Sequence, residues 1–242
     1  MINVEVLNRI IVAELIYNID ETVLSDWEER KPKTVIEPEE IDPGNLHYPV
    51  DRCIKHVTLL VTVSGGGDAY FPLAVTKEPE LEKNFQFGIR RDTDLSLHVG
   101  NSNYVDKETF CDHIINKFIP QVLNDRKYCG CETLPAILFI DNCSSHLDTD
   151  LLEILADNFI LVITYPSHTS HIFQVLDLLL FGVLKVYKTD HLYWVFHAYE
   201  LRTCSNTIRS SFMRAGFEYY QKDGRNYLKL NRSKIENSRN LF

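Results

Sequence analysis

Apolar and polar residues alternate or recur along this chain in a way that divides it into strands and helices. "AELIYNI" (13–19) alternates in part and predicts a strand ending at Asp20. Two β-rich runs, "HVTLLVTV" (56–63) and "AYFPLAVT" (69–76), flank "SGGGD" and predict a hairpin. Phe110, Ile114 and Phe118 recur at helical spacing with Cys111, Ile115 and Ile119 beside them, behind Asp106 as a candidate N-cap. Pro120 is expected to bend or end that helix. "AILFI" (136–140) reads as a short buried strand. Leu151, Leu152 and Leu155 mark a helix started by Asp148 or Thr149. "ILVITY" (160–165) is a further buried strand closed by Pro166, and "QVLDLLLFGVLKVYK" (174–188) a last helix.

The stretches between are of another kind. Residues 28–51, rich in Pro, Glu and Lys, suit a surface loop, and residues 77–104 read as a long, irregular, polar connection. A hairpin feeding into alternating strands and helices implies an α/β protein, a mixed sheet with helices on its faces. The apolar stretch Ile10 to Ile19 is broken by Glu14 and leads to no small-residue cleavage site, so it reads as core. Nothing else reaches membrane-spanning length, and a soluble intracellular protein is expected.

Composition sharpens this picture only in places. With 45% hydrophobic and 24% charged residues in 242, the chain can bury a sizeable core. Six cysteines without zinc-ribbon spacing read as reduced thiols. A net charge of −9 excludes a protein that merely coats nucleic acid. The charge is uneven, because residues 1–50 are strongly acidic while residues 220–242 are basic. That basic tail could meet phosphates or be a solvated terminus.

Three aspartates fall where α/β sheets gather reactive groups, at strand ends. Asp20 follows the first strand, Asp141 follows "AILFI", and Asp177 opens the last helix. Taken singly, each could be a turn former or helix cap, and Glu21 competes with Asp20 for the inward place. Together, converging carboxylates with open positions suit Mg²⁺ or Mn²⁺, and a pair of such ions serves phosphodiester displacement. His146, His168 and His171 match no common zinc spacing. "SGGGD" lacks the Gly-Lys-Ser/Thr ending of a phosphate-binding loop.

In order, "YNIDET", "LFIDNCSSH" and "YPSHTSHIFQVLD" resemble the catalytic motifs of the DDE-superfamily endonucleases, specifically the pogo-like branch of the mariner-type transposases. Asn18, Asp20, Glu21 and Thr22 match the first motif. Asp141, Asn142 and His146 match the second, and Pro166, Thr169, Ser170, Gln174, Leu176 and Asp177 the third. Val175 stands where the family prefers proline, Ser144 and Ser145 replace a usual small-Pro-Ser, and Val23 replaces a glycine; the three carboxylates are untouched.

The resemblance implies an RNase H-like mixed sheet flanked by helices over residues 1–190, with an irregular insertion at about 77–104. Residues 191–242 are then a C-terminal extension with the basic tail. It implies metal-dependent DNA cleavage and strand transfer, with Asp20, Asp141 and Asp177 as catalytic residues holding two Mg²⁺ or Mn²⁺ ions. Asn142, His146 and Gln174 would support them from a second shell. DNA is the implied partner, in the nucleus, and a homodimer is compatible with it. Family members carry helix-turn-helix domains before the first motif, which here starts at residue 17, so recognition of transposon ends by this chain alone is not expected. The alternative from another class is a domesticated remnant that binds DNA or a protein partner without cutting. An RNase H-like nuclease acting on RNA–DNA hybrids would share the fold without these motifs.

Overall fold

A computed structural model describes residues 11–25, 56–77, 95–141, 148–165, 169–184, 199–200 and 203–231. A six-stranded sheet runs through its middle in the order β5-β4-β3-β2-β6-β7. Its strands are β2 (Ile16–Ser25), β3 (His56–Ser64), β4 (Leu73–Thr76), β5 (Ser96–Val99), β6 (Ala136–Ile140) and β7 (Ile160–Thr164). β2 to β4 pair antiparallel, whereas β2 with β6, β6 with β7 and β4 with β5 pair parallel. The mixed sheet flanked by helices is therefore the RNase H-like architecture implied by the motifs.

β2 is the axis of the molecule. Its period-two alternation sends Ile16, Asn18, Asp20, Thr22 and Leu24 to one face and Tyr17 and Ile19 to the other. On the second face lies a core with Phe110, Ile114, Phe118, Val122, Leu151 and Leu155, carried by helices. On the first face Ile16 and Leu24 meet Phe139, Val175, Leu176, Phe181, Ile208 and Phe212. Polar residues thus occupy the middle of one face of a central strand.

Several elements differ from their sequence reading. The first strand does not end at Asp20 but runs on to Ser25, because β3 pairs with it along its whole length, from Tyr17↔Ser64 to Ser25↔His56. It also begins later, after a 3₁₀ turn at Ala13–Leu15. Within the stretch read as irregular, β5 adds a parallel edge strand beside β4; its apolar signal is the short alternation of Leu95, Leu97 and Val99. β7 is less buried than "ILVITY" suggested, since it is the other edge of the sheet.

Asp106 caps α1 (Lys107–His113) by accepting from the Thr109 N–H at 2.8 Å. Pro120 does not end the helix. A π turn at Ile114–Phe118 precedes it, closed by an Ile119 N–H to Ile114 carbonyl bond, and α2 (Ile119–Cys129) continues to Gly130. The widened turn accommodates a proline ring that would clash with the carbonyl four residues back in a regular helix. Asp148 caps α3 (Thr149–Asp157). The stretch read as one last helix is broken into α5 (Val175–Leu178) and α6 (Leu180–Leu184), after a short α4 (Ser170–Phe173).

The described residues from 203 to 231 pack on the same body. α7 (Ser205–Arg214) places Ile208 and Phe212 in the first-face core. β8 (Phe217–Lys222) and β9 (Arg225–Leu230) form a hairpin whose β9 pairs with β1 (Ile11–Val12) in a second, three-stranded sheet. The "SGGGD" turn supports these elements: Arg209 donates to the Gly66 carbonyl at 2.8 and 3.0 Å, and the Tyr219 hydroxyl donates to the Gly65 carbonyl at 2.8 Å. A Cβ at Gly65 would lie 2.7 Å from the Ala13 carbonyl oxygen, so glycine lets the two segments approach. Among the described residues no helix is long and apolar enough to cross a membrane.

Candidate active site

The polar middle of β2 faces the end of β6 and the break between α4 and α5. Asp20 is on β2 itself. β6 is buried over all five residues between β2 and β7, and Asp141 is the first residue past it, half-buried. Gln174 interrupts the helix before α5, where Val175 and Leu176 are fully buried and Asp177 turns to solvent. Val175 is the first residue of α5, a position at which proline's missing N–H carries no penalty, so its replacement of the family's proline leaves the turn intact.

One residue with no role assigned from sequence joins these segments. Asn18, completely buried, donates from Nδ2 to the Phe139 carbonyl at 2.9 Å and accepts at Oδ1 from the Leu176 N–H at 3.1 Å. Phe139 is two residues before Asp141, Leu176 one before Asp177, and Asn18 two before Asp20 on the same face of β2.

The electrostatics register this proximity. Asp20 keeps some accessible surface, yet its carboxyl is enclosed, and burial pushes its pKa up to about 7. The Gln174 amide and the Glu21 backbone N–H favour the ionised form, while the negative charges of Asp177 and Asp141 raise the pKa further. Asp20 therefore feels the charges of both other aspartates named from sequence. Among the described residues, however, no three His, Cys, Asp or Glu side chains form a closed ligand group.

Two further polar groups lie against Asp20. The Gln174 amide sits beside its carboxyl, but neither its oxygen nor its nitrogen makes a hydrogen bond of good geometry, although the residue is buried. The Tyr165 hydroxyl, buried at the end of β7, has the Val175 N–H beside it but makes no hydrogen bond of good geometry; burial first, and then the Asp20 charge, holds its pKa well above the ordinary phenol value. Sequence reading assigned Tyr165 no role, although it opens the quoted "YPSHTSHIFQVLD" stretch. Asn142 and His146 lie outside the described residues, as does Pro166.

Carboxylate oxygens are the donor type that suits a hard divalent cation such as Mg²⁺ or Mn²⁺, although Asp20, Asp141 and Asp177 do not converge here as a ligand group. The arrangement thus defines an RNase H-like domain with Asp20 in the middle of its central strand, Asp141 just past β6 and Asp177 on α5. Solved structures of the same fold are those of Mos1 mariner transposase. The Mos1 paired-end complex with Mn matches with a TM-score of 0.56 and 15% identity over 84% of this chain and 53% of that one. The paired-end complex with the left transposon end matches at 0.55 and 13%, over 84% and 52%. The Mos1 catalytic domain alone matches at 0.53 and 13%, over 84% and 78%. This chain spans about half the length of the first two. No family model matches it, and no curated protein matches its sequence. The fold is that of a mariner-type transposase catalytic domain.

Proposed function

We propose that this chain is a transposase-derived DDE endonuclease domain of the pogo-like branch, which cleaves DNA phosphodiester bonds with divalent ions held by Asp20, Asp141 and Asp177. The observation that carries the reading is that Asp141, just past β6, and Asp177, on α5, both come near enough for their charges to act on the enclosed carboxyl of Asp20 on β2. The motif order and the Mos1 fold support it, and Mos1 has been solved with Mn and with its transposon end.

Bound divalent ions would supply acidity to an attacking water or 3′-hydroxyl and charge neutralisation to the departing oxygen. The chain's own residues would do the rest. Asp177, the exposed member, and Asp141 would offer carboxylate oxygens to the ions together with the enclosed carboxyl of Asp20. In the ion-free protein Asp20 holds its proton close to neutrality, so loading the site releases a proton. Gln174 would orient the Asp20 carboxyl.

The experiment is nicking of supercoiled DNA in Mg²⁺ or Mn²⁺ by the wild-type chain and by Asp141→Ala. Nicking by the first and not the second is expected; equal nicking overturns the proposal. A non-cutting remnant that binds DNA or a partner is the second reading. It is favoured by the net charge of −9 and by the lack of a closed ligand group among the described residues.

A further inference from the structure

We infer that Asn18 is the positioning residue of this site, its single buried amide setting the spacing among the segments that carry Asp20, Asp141 and Asp177. This rests on the metal-site reading above and adds to it the part that holds the three carboxylates in register.

The two hydrogen bonds of Asn18 are additional to the secondary structure. β2 and β6 are already aligned by parallel pairing, with Asn18 opposite Phe139. The 2.9 Å bond from Nδ2 to the Phe139 carbonyl is a side-chain tie across that pair. It fixes the strand end from which Asp141 projects. The bond to Leu176 does a different task. α5 has only four residues, too few to hold itself by internal hydrogen bonding. The first backbone N–H groups of a helix lack intrahelical partners, and Gln174 at the N-cap makes no side-chain capping bond. Asn18 supplies that cap from 158 residues away in sequence. Asp177 follows directly, so its place beside Asp20 depends on the same bond.

Asparagine is the residue type this geometry needs. One planar amide carries a donor and an acceptor at fixed separation. Aspartate would keep the acceptor, lose the donor and add a fourth negative charge. Leucine would match the volume and lose both bonds, leaving the Phe139 carbonyl and the Leu176 N–H to compete for other partners.

The test uses the whole chain, with Asn18→Leu and Asn18→Asp. Three quantities are read: the Mn²⁺ dissociation constant by calorimetry, hydrogen exchange at the Leu176 amide, and the urea midpoint. Ile114→Val, in the core on the opposite face of the sheet, is the control for lost stability alone. Asn18→Leu should weaken Mn²⁺ binding about tenfold or more, the usual effect of removing a group that orients metal ligands. Exchange at Leu176 should quicken, while the control keeps both values. Asn18→Asp should retain protection at Leu176 and still bind Mn²⁺ differently, which keeps the test open if the leucine variant does not fold. Unchanged Mn²⁺ affinity, or unchanged Leu176 exchange in folded Asn18→Leu, overturns the inference. If the wild type binds Mn²⁺ no better than Asp141→Ala, the metal reading fails instead, and exchange at Leu176 alone decides whether Asn18 holds α5 in place.

Discussion

The ring of Tyr165 stacks on that of Phe139, with centroids 5.8 Å apart and planes 23° from parallel, while its hydroxyl ends near Asp20 and the Val175 N–H without a hydrogen bond of good geometry. The aromatic ring is core; the hydroxyl is not explained by packing. Tyr165→Phe should therefore leave stability unchanged or raise it by up to about 1 kcal/mol, since it removes an unsatisfied buried group and keeps the stack. It should at the same time reduce DNA nicking. Urea unfolding alongside the nicking assay reads both, and a parallel loss of stability would show that the hydroxyl is structural.

Asp20 predicts a pH dependence. Its folded pKa of about 7 lies above its ordinary value of 3.8, so the folded state holds the proton more tightly than the unfolded one. The associated stability is fully present below about pH 4 and is lost as pH rises towards 7. Asp20→Asn removes this penalty. In EDTA at pH 8 the variant should be more stable than wild type by roughly 1–3 kcal/mol, allowing for screening at a partly accessible group. At pH 4 the two should coincide. Urea midpoints across that range provide the measurement.

Millimolar Mn²⁺ should raise the melting temperature of the wild-type chain and leave Asp141→Ala and Asp177→Ala unmoved. At a hundredfold excess over the dissociation constant the gain is about 2.7 kcal/mol, or roughly 5–10 °C for a domain of this size. Thermal melts with and without EDTA would show it.

Arg126 tests the scaffold away from the site. Buried, it donates to the Asn158 carbonyl at 2.9 Å and to the Phe159 carbonyl at 2.8 Å, where α3 ends and β7 begins. Phe159 has a positive φ of 55°, so this turn is held in a sparsely populated conformation. Arg126→Met keeps much of the stem and leaves both carbonyls short of a donor. It should cost about 2–3 kcal/mol by urea unfolding. Asp141, on the strand beside β7, should then also lose Mn²⁺ affinity.

Much of this molecule was legible along the chain. "AILFI" is a strand because a run of five apolar residues can be satisfied only with both faces covered, and β6 sends Ile137 and Phe139 into one core and Ala136, Leu138 and Ile140 into the other. Asp106 and Asp148 cap their helices as their positions imply, since capping is a local bond between a side chain and the next turn. Asp20, Asp141 and Asp177 could be singled out because a carboxylate following an apolar run calls for a partner. What local pattern did not carry were features decided by neighbours. β2 extends past Asp20 only because β3 lies beside it. β5 exists because β4 offers an edge, and Pro120 is tolerated because the preceding turn widens.

Residue order alone therefore determined the alternation of strands and helices, the capping of those helices and which acidic groups were candidates, since each depends on interactions within a few positions. Tertiary structure alone decided that Asn18 reaches Phe139 and Leu176, that Tyr165 comes to Asp20, and that the Asp20 proton is held near neutral pH. Those properties arise from burial and from charges brought close across the sheet, and distance in space leaves no periodic trace in the chain.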